Sequence, residues 1–237
     1  MGSSEFPMTR WSVVLSARGG DVSRAKIALS ELCEAYWMPL YSFARRTGKS
    51  AEDAEDLTQA FFARLIEKDL FAKANAERGK LRSFLLGTFK NFLSDEWDKS
   101  RALKRGGGNE VFSIDAARAE ERFAMEPADE ESPDRCFEKR WALVVLDRVM
   151  RSLRDHYTES GKGEVFEELS QFLAPESGGQ VYRKSAEILG LSENAVRVAV
   201  FRMRQRYARE LRAQIAETVE GEAEVAEEID FLFRAVQ

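Results

Sequence analysis

The chain has 237 residues, with 36 Lys and Arg against 41 Asp and Glu, a net charge of −5 and 44% hydrophobic residues. Such a mix is expected of one or two soluble globular domains, and it excludes a membrane-spanning chain, since no window approaches about 18 uninterrupted apolar residues. Two cysteines far apart in sequence, Cys33 and Cys136, and one histidine, His156, leave little from which to build a disulfide framework, a zinc site or a Ser/His/Asp triad. No G-x-x-x-x-G-K-[ST] loop is present. The N-terminus lacks a basic start followed by an apolar run, so a cytoplasmic protein without metal or cofactor is expected.

Helical periodicity dominates and nothing alternates with period two, which predicts an all-α fold. Residues 23–46 read as a helix with Ile27, Leu29, Leu32, Tyr36, Leu40 and Phe43 on one broad stripe; Pro39 is expected to bend or divide it. Gly48 marks a turn and Ser50 the N-cap of the next helix, with Ser50-x-x-Asp53 resembling a capping box. Glu52, Asp53, Glu55 and Asp56 crowd its first turns, and Leu57, Phe61, Phe62, Leu65 and Ile66 form the face to bury. A loop over 69–80 leads to a third helix over 81–103, with Phe84, Leu85, Phe89, Phe92 and Leu93 inward. Between Arg78 and Arg105, eight basic residues stand against three acidic ones, beside aromatic rings. That composition suits single-stranded DNA, where cations follow the backbone and rings hold unstacked bases. The helical spacing of Phe84, Phe89 and Phe92 reads as core, whereas Trp97 is open to either role.

Three glycines open the segment 106–133, and ten acidic residues counted to Glu138 meet only three arginines, the composition of a flexible linker. A helix with Leu143, Leu146, Val149, Met150 and Leu153 follows, then a second around 165–173 and a loop over 174–180. Residues 182–212 carry the strongest local pattern. Ala186, Ile188 and Leu189 make a small apolar patch, Gly190 is a stop signal and Ser192 an N-cap. Val196, Val200, Met203, Tyr207 and Leu211 then share one face, while Arg197, Phe201, Arg202, Gln205 and Arg209 lie on the flank or far side. Eight basic residues against three acidic ones give this segment a charge of +5 in an acidic chain. This is the layout of a helix-turn-helix that packs by one face and offers the other to a major groove. The acidic tail places Val225, Ile229, Leu232, Phe233 and Val236 at near-helical spacing. It is expected to pack on the preceding domain as extra core, or else to fold over a basic face.

Four segments result: a helical domain over 8–105, an acidic linker over 106–135, a helix-turn-helix domain over 136–215 and an acidic extension over 216–237. Three strings in this order, AEDAEDLTQAFFARL at 51–65, LRSFLLGTFKNFLSDEWDKSRALKR at 81–105 and the helix-turn-helix, together resemble an extracytoplasmic-function (ECF) sigma factor of bacterial RNA polymerase. The opening FPMTRWSVVL and the run KRGGG are similar to a subgroup with terminal extensions.

The resemblance implies a promoter-specificity subunit with no catalytic chemistry of its own. It implies contacts to core RNA polymerase at Glu52, Asp53, Glu55, Asp56 and Gln59, and contacts to −10 promoter DNA at Arg82, Lys90, Asn91, Trp97 and Arg101, with the loop over 69–80 pocketing a flipped base. The −35 contacts fall at Asn194, Arg197, Phe201 and Arg202. It also implies a kinase or an anti-sigma factor as a further partner, with Thr58 as the candidate phosphorylation site. The chain departs from the family at Ala60, where an acid usually follows the glutamine, and at Val198 and Ala199, where relatives often carry polar or basic residues. Two other readings of the residues remain: a stand-alone helix-turn-helix regulator binding duplex DNA as a symmetric dimer, and a helical protein-interaction adaptor.

Overall fold

The computed structural model describes residues 22–67, 80–102, 132–173, 179–219 and 221–237. Every element among them is helical, as the periodicity predicts: α1 (Val22–Arg46), α2 (Ala51–Glu67), α3 (Leu81–Ala102), α4 (Pro133–Glu159), α5 (Gly163–Leu169), a 3-10 turn (Ser170–Leu173), α6 (Gly179–Leu189), α7 (Glu193–Ala216) and α8 (Glu222–Ala235). The body of the predicted linker, the loop over 69–79, the Gly/Pro loop over 174–178, the opening motif and the KRGGG run lie outside the described residues. Pro39 does not divide the first helix, which continues on both sides of it.

The chain forms two compact units, one of residues Met1–Val144 with Ile215–Gln237 and one of Val145–Gln214. These limits differ from the composition-based ones. The first turns of α4 and the acidic extension belong to the first unit, because their apolar faces are buried there.

In the first unit, α1 contributes Leu32, Tyr36, Leu40 and Phe43 to the core, α2 contributes Phe61 and Leu65, and α3 contributes Leu85, Phe89 and Phe92. The rings interlock: Phe61 meets Phe89 edge-on at 4.9 Å and Phe92 at 5.6 Å, and Phe43 meets Phe89 at 6.0 Å. Phe89 and Phe92 are therefore core residues, as their spacing indicates, and Phe84 is half-buried. Arg64 ties α2 to α3 through Asp95 at 2.9 Å. Cys33 is half-buried, and burial together with the charge of Glu34 pushes its thiol up to about 11, leaving it protonated and unreactive.

The C-terminal extension was expected either to pack on the helix-turn-helix domain or to fold over a basic face; it is buried in the first unit, where Glu228 pairs with Lys80 and Arg82. Val219, Val225, Leu232 and Ala235 are buried, and the backbone N–H of Leu81 donates to the Thr218 carbonyl at 3.3 Å. Glu228, 1% exposed, accepts two bonds from the Arg82 guanidinium (2.5 and 3.2 Å) and pairs with Lys80 at 2.8 Å. The Phe231 ring lies 3.6 Å from the same guanidinium carbon and the Trp141 ring 5.3 Å from it. A buried carboxylate is tolerated here because two cations pair with it, and the rings of Phe231 and Trp141 hold the Arg82 guanidinium in place.

The second unit packs Leu153 of α4, Phe166 and Leu169 of α5, Phe172, Ala186 of α6, and Val196, Val200 and Met203 of α7 into one core. Leu143, expected inward on α4, is 41% exposed. The turn between α6 and α7 follows from local chemistry. Gly190 takes φ +64°, its N–H donates to the Glu187 carbonyl, and the Leu191 N–H donates to the Ala186 carbonyl at 3.0 Å, which satisfies the last carbonyls of α6. Ser192 then accepts the N–H of Ala195 at 3.2 Å and caps α7. A Cβ at Gly190 would meet nothing within 4 Å, so a substitution there costs backbone strain alone. Gly190→Ala is expected to lower the stability of this unit by about 1–2 kcal/mol, read as a shifted thermal midpoint by circular dichroism.

Candidate nucleic-acid interface

Residues of three helices carry the sequence-based assignments, and each helix positions them differently. The start of α2 is an acidic surface. The Ser50 hydroxyl accepts the Asp53 N–H at 3.0 Å, so the cap fixes the register in which Glu52, Asp53 and Asp56 point outward. None of these three has a basic partner among the described residues. Glu55 is half-buried and accepts a bond from Gln59 at 3.0 Å. Desolvation, followed by the charge of Asp56, raises its carboxyl above the ordinary value despite that bond. The opposite face of α2 buries Ala54, Phe61, Phe62 and Leu65, and Thr58 lies among them.

Thr58 is fully buried, and its hydroxyl donates to the Ala54 carbonyl at 2.7 Å. This corrects its assignment as a phosphorylation site. A kinase cannot reach the hydroxyl in this fold, and a phosphate would place a double charge inside an aromatic core.

On α3, Arg82 is likewise withdrawn from the surface. It is 9% exposed and held by Glu228, so it is not a DNA contact in this state. Lys90 reaches Asp134 and sits 5.6 Å from the Phe43 ring centroid, with 44% of its side chain exposed. Asn91 is exposed beside it. Trp97 is 56% exposed, with the Lys49 ammonium 4.9 Å from its ring centroid. Arg101 stands in the last turn of α3, and its side chain lies outside the described residues. Asn91 and Trp97 thus present exposed side chains, Lys90 is paired with Asp134 at the surface, and Arg82 is buried against Glu228.

On α7 all four assigned residues are exposed. Asn194, Arg197 and Phe201 fall at steps of three and four, with Val198 between them and Arg202 alongside. Phe201 is 60% exposed, an unusual position for a large ring. Arg197 is pre-positioned: it bonds Glu193 at 2.7 Å and lies 4.5 Å from the Tyr182 ring centroid. Arg204, counted in the basic excess, is structural, since its guanidinium donates twice to the Phe172 carbonyl at 2.9 and 2.6 Å and closes the 3-10 turn.

Beyond these, the structure brings together residues that the sequence reading left unassigned. Lys162, Arg206 and Arg209 line one concavity with Arg202 and His156 in the second unit. The sequence held a partial signal for it, the step of Arg202, Arg206 and Arg209 along α7. Among the described residues no group of His, Cys, Asp and Glu could hold a metal ion, and no helix is long and apolar enough to cross a membrane.

No curated protein and no solved structure matches the chain. The family model described as Sigma-70 region 2 matches residues 32–102, a span that takes in most of α1 and all of α2 and α3. The acidic cap of α2, the interlocked phenylalanines and the exposed Asn91 and Trp97 all fall inside it, and this match supports a sigma-70 family factor.

Proposed function

We propose that the chain is a promoter-specificity subunit of the ECF type. It binds core RNA polymerase through the acidic start of α2, engages the −10 element with α3 and reads the −35 element with α7. The observation that carries this reading is the Sigma-70 region 2 match over 32–102 in a chain that also holds a capped helix-turn-helix with an exposed basic face. Uncompensated carboxylates at Glu52, Asp53 and Asp56 suit a basic partner surface, where they raise the encounter rate and fix orientation. Opening a duplex costs stacking and pairing. An exposed ring such as Trp97 and the amide of Asn91 lower that cost by holding unstacked bases, while Lys90 meets the backbone. The −10 contacts in this reading are Lys90, Asn91, Trp97 and Arg101, without Arg82.

Neutralising the acidic surface tests the polymerase contact. The triple variant Glu52→Gln, Asp53→Asn, Asp56→Asn is expected to keep its helix content and to bind core RNA polymerase at least about tenfold more weakly, mainly through a slower on-rate. Unchanged affinity in surface plasmon resonance would remove α2 from the polymerase interface. Binding of the unaltered chain to duplex DNA but not to the core enzyme would favour the stand-alone regulator.

A further inference from the structure

We propose that the concavity between the end of α4 and the C-terminal half of α7 seats one backbone phosphate of duplex DNA, next to the bases met by Asn194, Arg197 and Phe201. This rests on the promoter-binding reading and adds a site to it. The concavity holds about 280 Å³, ample for a phosphodiester group. Four of its eight lining residues, Lys162, Arg202, Arg206 and Arg209, are cationic. Arg202, Arg206 and Arg209 descend α7 at steps of four and three, and Lys162, just after α4, lines the same hollow.

The chain arranges this by a tight reversal. Gly161 takes φ +68° and the Lys162 N–H donates to the Tyr157 carbonyl at 2.8 Å, which turns the backbone immediately after α4 and brings Lys162 to the rim. Elsewhere in this unit three arginines pair with nearby carboxylates, Arg183 with Glu187, Arg197 with Glu193 and Arg154 with Glu167. In the concavity, Arg206 meets Glu210 at 3.8 Å, and Lys162, Arg202 and Arg209 have no acidic partner among the described residues. Three uncompensated cations around one hollow repel each other, and an anion with several acceptor oxygens relieves that repulsion.

Position decides which anion. In a helix-turn-helix the N-terminal part of the second helix meets the base edges. From Arg197 to Arg206 the helix rises roughly 14 Å at 1.5 Å per residue. Lying further along the same helix, the hollow is past the base-reading positions, where phosphate contacts fix the register of such a helix on the duplex. Its wall is polar and open to solvent, unlike the apolar enclosure of a small-molecule pocket. Arg202, assigned from sequence as a −35 contact, lines the hollow and joins the backbone grip in this reading.

The test uses the full chain bound to core RNA polymerase, a duplex library randomised in the upstream element, and Lys162→Gln and Arg209→Gln variants checked for helix content. Each variant is expected to weaken binding several-fold for all library members alike and to leave their ranking intact. The slope of log affinity against log salt should fall by about 0.9 for the lost contact. Isothermal titration of the chain with inorganic phosphate and pyrophosphate forms the second arm. Variants that lose pyrophosphate binding with an unchanged DNA salt slope would assign the hollow to a free phosphate ligand and overturn the proposal. Variants unchanged in both arms would reduce it to a solvated basic cluster. A polymerase-bound wild-type chain with no preference in the library would instead overturn the promoter reading itself.

Discussion

Glu228→Ala is expected to destabilise the first unit by about 3–5 kcal/mol, the cost of stranding a buried charge without its counter-ion. The carboxylate is 1% exposed and is held by two cations, Arg82 and Lys80. After its removal the guanidinium stays under the Phe231 and Trp141 rings, with Glu138 at 3.9 Å as its remaining carboxylate. The effect can be read cleanly, because the three tryptophans among the described residues (Trp37, Trp97 and Trp141) belong to the first unit. Tryptophan fluorescence during urea unfolding therefore follows that unit, and its midpoint should fall sharply in Glu228→Ala. The double variant Arg82→Met, Glu228→Leu removes both charges together and should recover most of the loss, since an apolar pair of similar volume often replaces a buried ion pair at little cost. A midpoint unaffected by Glu228→Ala would mean that the extension does not dock through this contact. The same experiment separates two views of the acidic tail, because an integral core piece unfolds with the unit while a loosely laid cover does not.

The second large effect concerns promoter choice. Arg197→Ala is expected to reduce discrimination at one base pair of the upstream element by about 1–3 kcal/mol, roughly 5- to 150-fold, because a guanidinium held at the groove reads guanine by two bonds. Its bond to Glu193 and its place by the Tyr182 ring pre-pay the ordering of the side chain. Half of its side chain is solvent-exposed, so the fold should tolerate the change. Transcription from a promoter library should show one position relaxing while binding to core RNA polymerase stays constant. A uniform loss at all positions would instead mark Arg197 as a backbone contact, the behaviour expected of Lys162 and Arg209.

What could be read in the sequence was local. The helix end at Gly190, the cap at Ser192 and the buried stripe of Val196, Val200 and Met203 depend on neighbours a few residues away, and the structure reproduces them. The aromatic core of α2 and α3 was legible for the same reason. Thr58 was legible too, because it shares the steps of Ala54, Phe61, Phe62 and Leu65 that mark the inward face, but its assignment was carried over from the family resemblance and not from that spacing. Arg82 was not legible. Its partner Glu228 lies 146 positions away, and no local pattern links the start of α3 to a C-terminal helix. The destination of the acidic tail was hidden by the same distance. Its apolar spacing showed that it must pack, and only the fold shows on what. The hollow at Lys162 needed both a turn after α4 and a stripe on α7, which meet only once the core between them has formed.

Whether this chain directs RNA polymerase to promoters is decided by transcription with purified core enzyme and a promoter library. Adding the chain is expected to produce defined start sites sharing one upstream and one downstream element, and the acidic-surface triple variant is expected to lose them. Binding of the library by the chain alone, with no start sites when core enzyme is present, would contradict that role.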